Sequence, residues 1–161
     1  MNFSISSHNQ SAATRIRHYF FKGDPARYEG VARINIYLLR ALYGLMAAFV
    51  GKDAWIYLLS YEGVWNSLEA VSWCVWAAFS ALAVLGIIHP VKMIPIILLE
   101  IFYKLLWLLL IARPLWSEGQ LQGSPAEDIT YAFLWVLLPI VAVPWGYVWK
   151  TFMRLPNSQI L

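Results

Sequence analysis

Apolar residues along this chain gather into four long runs separated by short polar stretches, at about residues 34–50, 68–88, 94–112 and 129–148. Each run approaches the ~20 residues that an α-helix needs to cross about 30 Å of hydrocarbon. Gly51-Lys52-Asp53 marks the exit of the first run, His89-Pro90 stops the second and Arg113-Pro114 stops the third. Pro95 fits the first turn of the third helix, where a missing N–H costs little. The loop 117–128 is polar, with Gly119, Gly123 and Pro125 as breakers. Residues 54–59 are apolar but too few to cross a bilayer. They read as an interfacial or re-entrant piece, or as a continuation of the first helix beyond the bilayer. The pattern predicts an all-α, polytopic membrane four-helix bundle over residues 34–149.

An arm, residues 1–33, precedes the bundle. Residues 1–12 are rich in Ser, Asn and Gln, and we expect them to be disordered. Ile16, Tyr19 and Phe20 then fall at i, i+3 and i+4, beside Arg15, Arg17 and Lys22. That is the pattern of a short amphipathic helix on an anionic membrane surface; the plainer reading is a basic flank with chance aromatics. Gly23-Asp24-Pro25 reads as a turn. No apolar stretch follows a short basic start, so we expect no cleavable leader and assign targeting to the first apolar run. Residues 150–161 form a tail.

Composition agrees with lipid as the solvent. Of 161 residues, 60% are hydrophobic and 13% charged, whereas soluble domains sit near a quarter charged. A soluble core of this size leaves too much surface facing water to hide so many apolar groups. Nine Trp, nine Tyr and eight Phe suit interfacial aromatic belts, with Trp55, Trp65 and Trp116 near one surface and Trp145 and Trp149 near the other.

The net charge of +3 reads as a positive-inside bias, and we expect no nucleic-acid partner. Arg15, Arg17, Lys22, Arg27, Arg33, Lys92, Lys150 and Arg154 fall on one side of the predicted bundle, against Lys52 and Arg113 on the other. Most acids run the opposite way: Asp53, Glu62, Glu118, Glu127 and Asp128. The bias predicts both termini in the cytoplasm of a bacterial-type cell, with the bundle in the inner membrane. The expected surroundings are the lipid bilayer, other membrane subunits or a second copy of the chain.

Three charges are misplaced for lipid: Arg40, Glu100 and Lys104. A bare charge at mid-bilayer costs about 2.5–3.5 kcal/mol on insertion scales, so such groups pair and face the protein interior. Glu100 and Lys104 stand at i and i+4 with the acid first, the better orientation for a helical ion pair. Arg40 and Glu100 each lie six residues past their predicted helix starts, roughly 9 Å from the boundary, so a cross-helix pair fits the count. Tyr103 and Trp107 lie on or beside the Glu100 stripe, and Ser80 falls at a similar depth. Two readings stand. A carboxylate between two cations in an apolar bundle suits a polar headgroup or a proton. Alternatively, one ion pair holds helices in register while Arg40 or Lys104 snorkels. The second is simpler, because a self-neutralised pair needs no ligand.

Pro139 and Pro144 interrupt the fourth run, freeing the carbonyls of Trp135 and Ile140. Such kinks suit a cavity or a gate, and equally plain packing. Trp73, Trp76, Trp107 and Trp135 are placed deeper than the belts, where they suit core packing or a pocket for a quinone, carotenoid or lipid. Glu69, at the end of its helix, reads as hydrated. The lone Cys74 reads as a small packing residue. His8, His18 and His89 are too scattered for paired haem ligation, and no Cys/His group has zinc spacing. We therefore assign no metal and no catalytic residues.

The stretch His89-Pro90-Val91-Lys92-Met93-Ile94-Pro95, leading into Leu99-Glu100-Ile101-Phe102-Tyr103-Lys104-Leu105-Leu106-Trp107, resembles a group of uncharacterised small bacterial membrane proteins, as does Val143-Pro144-Trp145-Gly146-Tyr147-Val148. In that group a Pro-rich approach precedes a Leu/Phe-Glu…Lys…Trp helix, and the last helix ends in Pro-Trp-x-Tyr. The likeness covers residues 68–155 best. It implies a four-helix architecture, singles out Glu100, Lys104, Trp107, Pro144 and Trp145, and implies no activity. A further similarity is to DoxX-like four-helix proteins, associated with redox or respiratory functions. The expectation is a non-enzymatic accessory or scaffold protein that binds a lipid or quinone-like ligand or serves as a subunit of a membrane complex. The alternatives are a proton-coupled transporter or channel using Glu100, and a membrane enzyme acting on a lipid-like substrate.

Overall fold

The computed structural model describes residues 12–23 and 28–154. Residues 1–11, part of the Gly23-Asp24-Pro25 turn and the tail beyond Arg154 lie outside the described residues. The described chain is helical, with one isolated antiparallel bridge between Gly23 and Ala32. Six helices follow in order: α1 Ala12–Phe21, α2 Arg33–Ser60, α3 Ser67–Ile88, α4 Ile94–Ser117, α5 Glu127–Ala142 and α6 Trp145–Met153.

Helix α2, α3 and α4 are each long and apolar enough to cross a membrane. Helices α5 and α6 meet that test only together, as a pair bent by 73°. Leu99, Phe102, Leu109 and Leu110 of α4 and Leu68, Val71 and Val75 of α3 face outward. A contiguous apolar surface of this kind is stable against lipid and not against water.

The arm helix α1 folds back on the start of α2. The Phe20 ring meets Tyr37 edge-on at 6.2 Å, and the Arg33 guanidinium sits 4.2 Å from the centre of the Tyr19 ring. Ile16 and Phe20 face a groove closed by Ile34. The predicted apolar stripe exists, and part of it packs on the bundle. A turn at 28–31 then leads into α2, with Glu29 and Gly30 at φ 53° and 82°. Gly23 is required by close approach, since a Cβ there would lie 2.2 Å from the Gly30 carbonyl oxygen.

Helix α2 runs for 28 residues, roughly 42 Å. The helix therefore runs on through Gly51-Lys52-Asp53, and residues 54–59 continue it, the last of the readings given for them. A single glycine costs a helix only about 1 kcal/mol, and Gly51 is buried where α2 crosses α3; a Cβ there would lie 3.1 Å from Ser80 Cβ. Helix α3 starts at an Asn66 cap, whose side chain accepts from the N–H groups of Leu68 and Glu69. Its buried positions, Ala77, Ser80, Ala83 and Gly86, are all small and three residues apart. Small residues let helix backbones approach closely in lipid, where packing and not water exclusion holds helices together. Of the other small residues on these helices, Ala48 and Ala78 are exposed, and nothing lies near Gly44. Cys74 is exposed as well, so it fills no core space.

Arg113-Pro114 does not stop the third span; α4 continues to Ser117. The wide π-type turn at Leu108–Ala112 precedes the proline. It opens room for the pyrrolidine ring, which in a regular helix would strike the carbonyl four residues back. The fourth run is not one continuous helix over 129–148. Helix α5 loosens at Trp135-Val136, four residues before Pro139, and ends at Ala142. The carbonyls freed by the prolines find partners. Trp135 accepts from the Leu138 N–H at 3.0 Å, and Ile140 accepts from the Trp145 indole at 2.8 Å. Asn35 donates to the Ala142 carbonyl at 2.9 Å and ties the end of α5 to α2.

The tightest packing lies toward the Arg33 end. Ile36, Leu39 and Tyr43 of α2 meet Ala83 and Gly86 of α3 and Ile94, Ile97 and Ile101 of α4, with Val136, Val143 and Val148 closing the cluster. Tyr43 is 0% exposed, and its ring takes the space a Gly86 side chain would fill; a Cβ there would lie 2.4 Å from the ring.

Candidate functional site

Beyond this core, toward the Ser60 end, the four longest helices line an open-sided cavity of about 330 Å³. Met46, Phe49, Val50 and Asp53 line it from α2, and Trp73, Trp76 and Phe79 from α3. Glu100, Tyr103 and Lys104 line it from α4, and Ala132 and Phe133 from α5. Large aromatic side chains on all four helices cannot interdigitate as a small-residue seam does, so space remains between them.

The register of α2 decides what faces that space. Up to Met46 its buried positions step as Ile36, Leu39, Tyr43 and Met46. An unbroken α-helix would next bury Val50 and Asp53. The π-type turn Met46–Val50 inserts one residue, so the buried places pass to Gly51 and Ala54. Val50 and Asp53 are thereby turned to the cavity. Turns of this kind are frequent at functional sites, because they re-aim one side chain without ending the helix.

Glu100 is 8% exposed. Its Oε1 accepts from Lys104 Nζ at 2.5 Å, the i,i+4 pair expected from the sequence. Its Oε2 is buried with no hydrogen-bond partner. Lys104 Nζ also lies 5.8 Å from the centre of the Phe133 ring. Tyr103 stands between Phe79 and Phe133, with ring centroids 6.1 and 5.5 Å away, both edge-on. Trp107 lines no part of this cavity. It packs edge-on against Phe133 at 5.8 Å and donates its indole N–H to Thr130 Oγ1 at 3.1 Å. Further along, α4, α5 and the loop between them bound a larger hollow of about 730 Å³. That hollow is lined by Leu108, Arg113, Trp116, Thr130 and Tyr131 among others and holds no buried unpartnered group. Among the described residues, the buried unpartnered carboxylate oxygen lies at the smaller cavity.

Arg40 does not join the cluster. It lines no part of the cavity, forms no ion pair with Glu100, and has a buried Nε without a partner. Counting equal depth from the two helix starts fails because the starts are not level. The Tyr43 hydroxyl donates to the Pro90 carbonyl at 3.2 Å, in the turn that precedes α4. Glu100 therefore meets α2 at Met46 and beyond, at least six residues past Arg40, or roughly 9 Å along the axis. Ser80 likewise stays outside, donating to the Ala77 carbonyl at 2.7 Å and accepting from the Trp55 indole at 3.1 Å.

Of the four deeper tryptophans, Trp73 and Trp76 line the cavity, Trp107 packs behind Phe133 and Trp135 is 67% exposed. Trp73 stacks on Tyr57 at 4.2 Å, which extends the aromatic wall toward Tyr61 and Trp65. Glu69 accepts from the Tyr57 hydroxyl at 2.7 Å in an exposed setting. Pro139 and Pro144 shape α5 and its junction with α6 and touch no part of the cavity. Arg15, Arg17 and Lys22 lie on or beside α1, all exposed. Reasoning from the sequence missed Asp53, Phe49, Phe79 and Phe133. The signal for Asp53 was the pairing of Gly51 and Ala54 with the small stripe on α3, which rotates Asp53 away from that seam.

Comparison with known protein families, curated proteins and solved structures found no match to the chain.

Proposed function

We propose that this chain is a multi-pass membrane protein that holds the polar end of a small amphipathic ligand, a lipid or a quinone-like molecule, in the α2–α5 cavity. In this reading the bent α5–α6 pair serves as the fourth pass. Both termini are cytoplasmic, in a bacterial-type inner membrane, as the lysine and arginine bias favours. The role is that of an accessory or scaffold protein, alone or within a membrane complex. One observation carries the reading: Glu100 Oε2 is buried and unpartnered in an aromatic-walled cavity that four helices build together. A buried carboxylate oxygen without a donor is costly, and a bound polar group removes that cost. The cavity lies at the small end of the range for ligand pockets, about 300–1,000 Å³. It suits a headgroup or a single ring, with any tail in the bilayer.

Native mass spectrometry of the protein released from nanodiscs tests this. Wild type is expected to retain a small molecule that the double variant Glu100→Gln with Lys104→Met, which leaves no unpaired buried charge, loses. An empty wild type, or equal retention by both proteins, defeats the proposal. A second reading, a proton-coupled carrier, draws on the Pro144 break and the 73° bend beside it. Proton flux into liposomes, lost in Glu100→Gln, separates it from static binding.

A further inference from the structure

We infer that the ligand of the α2–α5 cavity is a cation, a protonated amine on a small apolar or aromatic body. This rests on the cavity being a ligand site, as proposed above, and sets aside the quinone-like member of that proposal. Three charged side chains line it: Asp53, Glu100 and Lys104. One ammonium balances one carboxylate, which leaves the cavity with an excess negative charge.

The lysine is already engaged. Its Nζ is 2.5 Å from Glu100 Oε1 and lies over the Phe133 ring. The second carboxylate oxygen, Oε2, receives no hydrogen bond although Glu100 is more than nine-tenths buried. An anionic ligand would add to the excess charge. A neutral one would leave that excess balanced only by the solvent around the exposed Asp53. A ligand N–H⁺ supplies both missing elements, a donor to Oε2 and the balancing charge.

The walls agree. Trp73, Trp76, Phe79 and Tyr103 present π-systems, whose negative faces attract organic cations, tryptophan most strongly. Asp53 lies on the same wall and is exposed. It offers a second, hydrated carboxylate to an approaching cation. The π-type turn in α2 is what aims it there.

The test uses the full chain in nanodiscs of zwitterionic lipid. Two probes of nearly equal shape are titrated, 2-phenylethylammonium and the neutral 2-phenylethanol, with empty nanodiscs subtracted. Both carry a ring and a hydrogen-bond donor, so their difference isolates charge. The cation is expected to bind about tenfold more tightly, the scale of a desolvated cation–π and charge pairing. Asp53→Asn, an exposed change that leaves the buried pair intact, is expected to weaken the cation alone, by about threefold. The double variant Glu100→Gln with Lys104→Met leaves no unpaired buried charge to disturb folding, and its preference for the cation is expected to vanish. Equal binding of the two probes, lost together in Trp76→Ala, would overturn the cationic assignment and leave the cavity a ligand site. Absence of saturable binding by either probe would overturn both.

Discussion

The two halves of the bundle use aromatic residues in opposite ways. Toward the Arg33 end, one large ring, Tyr43, faces one glycine, Gly86, and the surrounding positions are aliphatic. The ring fills the space that the glycine vacates, so the helices close. Toward the Ser60 end, Phe49, Trp73, Trp76, Phe79, Tyr103 and Phe133 converge from all four helices. No facing row of small residues receives them, and a cavity of about 330 Å³ is left. Large-against-small pairing makes a core, and large-against-large makes a chamber. The buried ion pair sits at the chamber and not in the core.

Truncating one ring in each half gives the largest contrast. Tyr43→Ala is expected to destabilise by about 4 kcal/mol, because a close-packed site cannot collapse around the void. Trp76→Ala is expected to cost about 1 kcal/mol, since its ring already borders empty space. Thermal unfolding in detergent or nanodiscs reads both, and equal losses would erase the distinction between the halves.

The ion pair comes next. Lys104→Met leaves a buried carboxylate uncompensated and is expected to cost about 3 kcal/mol. Adding Glu100→Gln should restore most of that, because an apolar and amide pair carries no charge to desolvate. Failure of the second change to rescue the first would show that Lys104 contributes through packing.

A smaller effect tests the core seam. Gly86→Ala places a methyl against the Tyr43 ring and is expected to cost about 2 kcal/mol. In a Tyr43→Ala background the same change should cost almost nothing. A penalty that persisted would mean that the glycine serves its own helix and not the ring. Least of all, Trp145→Phe removes the donor to the Ile140 carbonyl and is expected to cost about 1 kcal/mol. Faster amide exchange should then be confined to the α5–α6 junction.

Helix starts and stops were legible to very different degrees. The second run, read as 68–88, is α3, Ser67–Ile88. Its ends are marked by Asn66 and by His89-Pro90, which act locally. The helix runs on past Gly51, one of the readings given there, and past Arg113-Pro114, read as a stop; at Pro144 it breaks, as the proline predicts. At the first two positions a wide turn or a tight helix crossing absorbs the local disruption. At the third the chain does break, and the indole of Trp145 satisfies the carbonyl left behind. A breaker residue states a cost, and only its neighbours in space decide whether that cost ends the helix.

The same division runs through the candidate site. Four apolar runs, the basic and amphipathic arm, and the Glu100–Lys104 pair follow from the sequence alone, because each depends on residues within a few positions of one another. The placement of Arg40, the turning of Asp53 and the gathering of Trp73, Trp76, Phe79 and Phe133 do not. They depend on helix offset, fixed by the Tyr43–Pro90 hydrogen bond, and on one extra residue in a π-type turn. An offset between helices leaves no trace in spacing along either helix, so only the tertiary structure decides which charges meet and which aromatic rings enclose them.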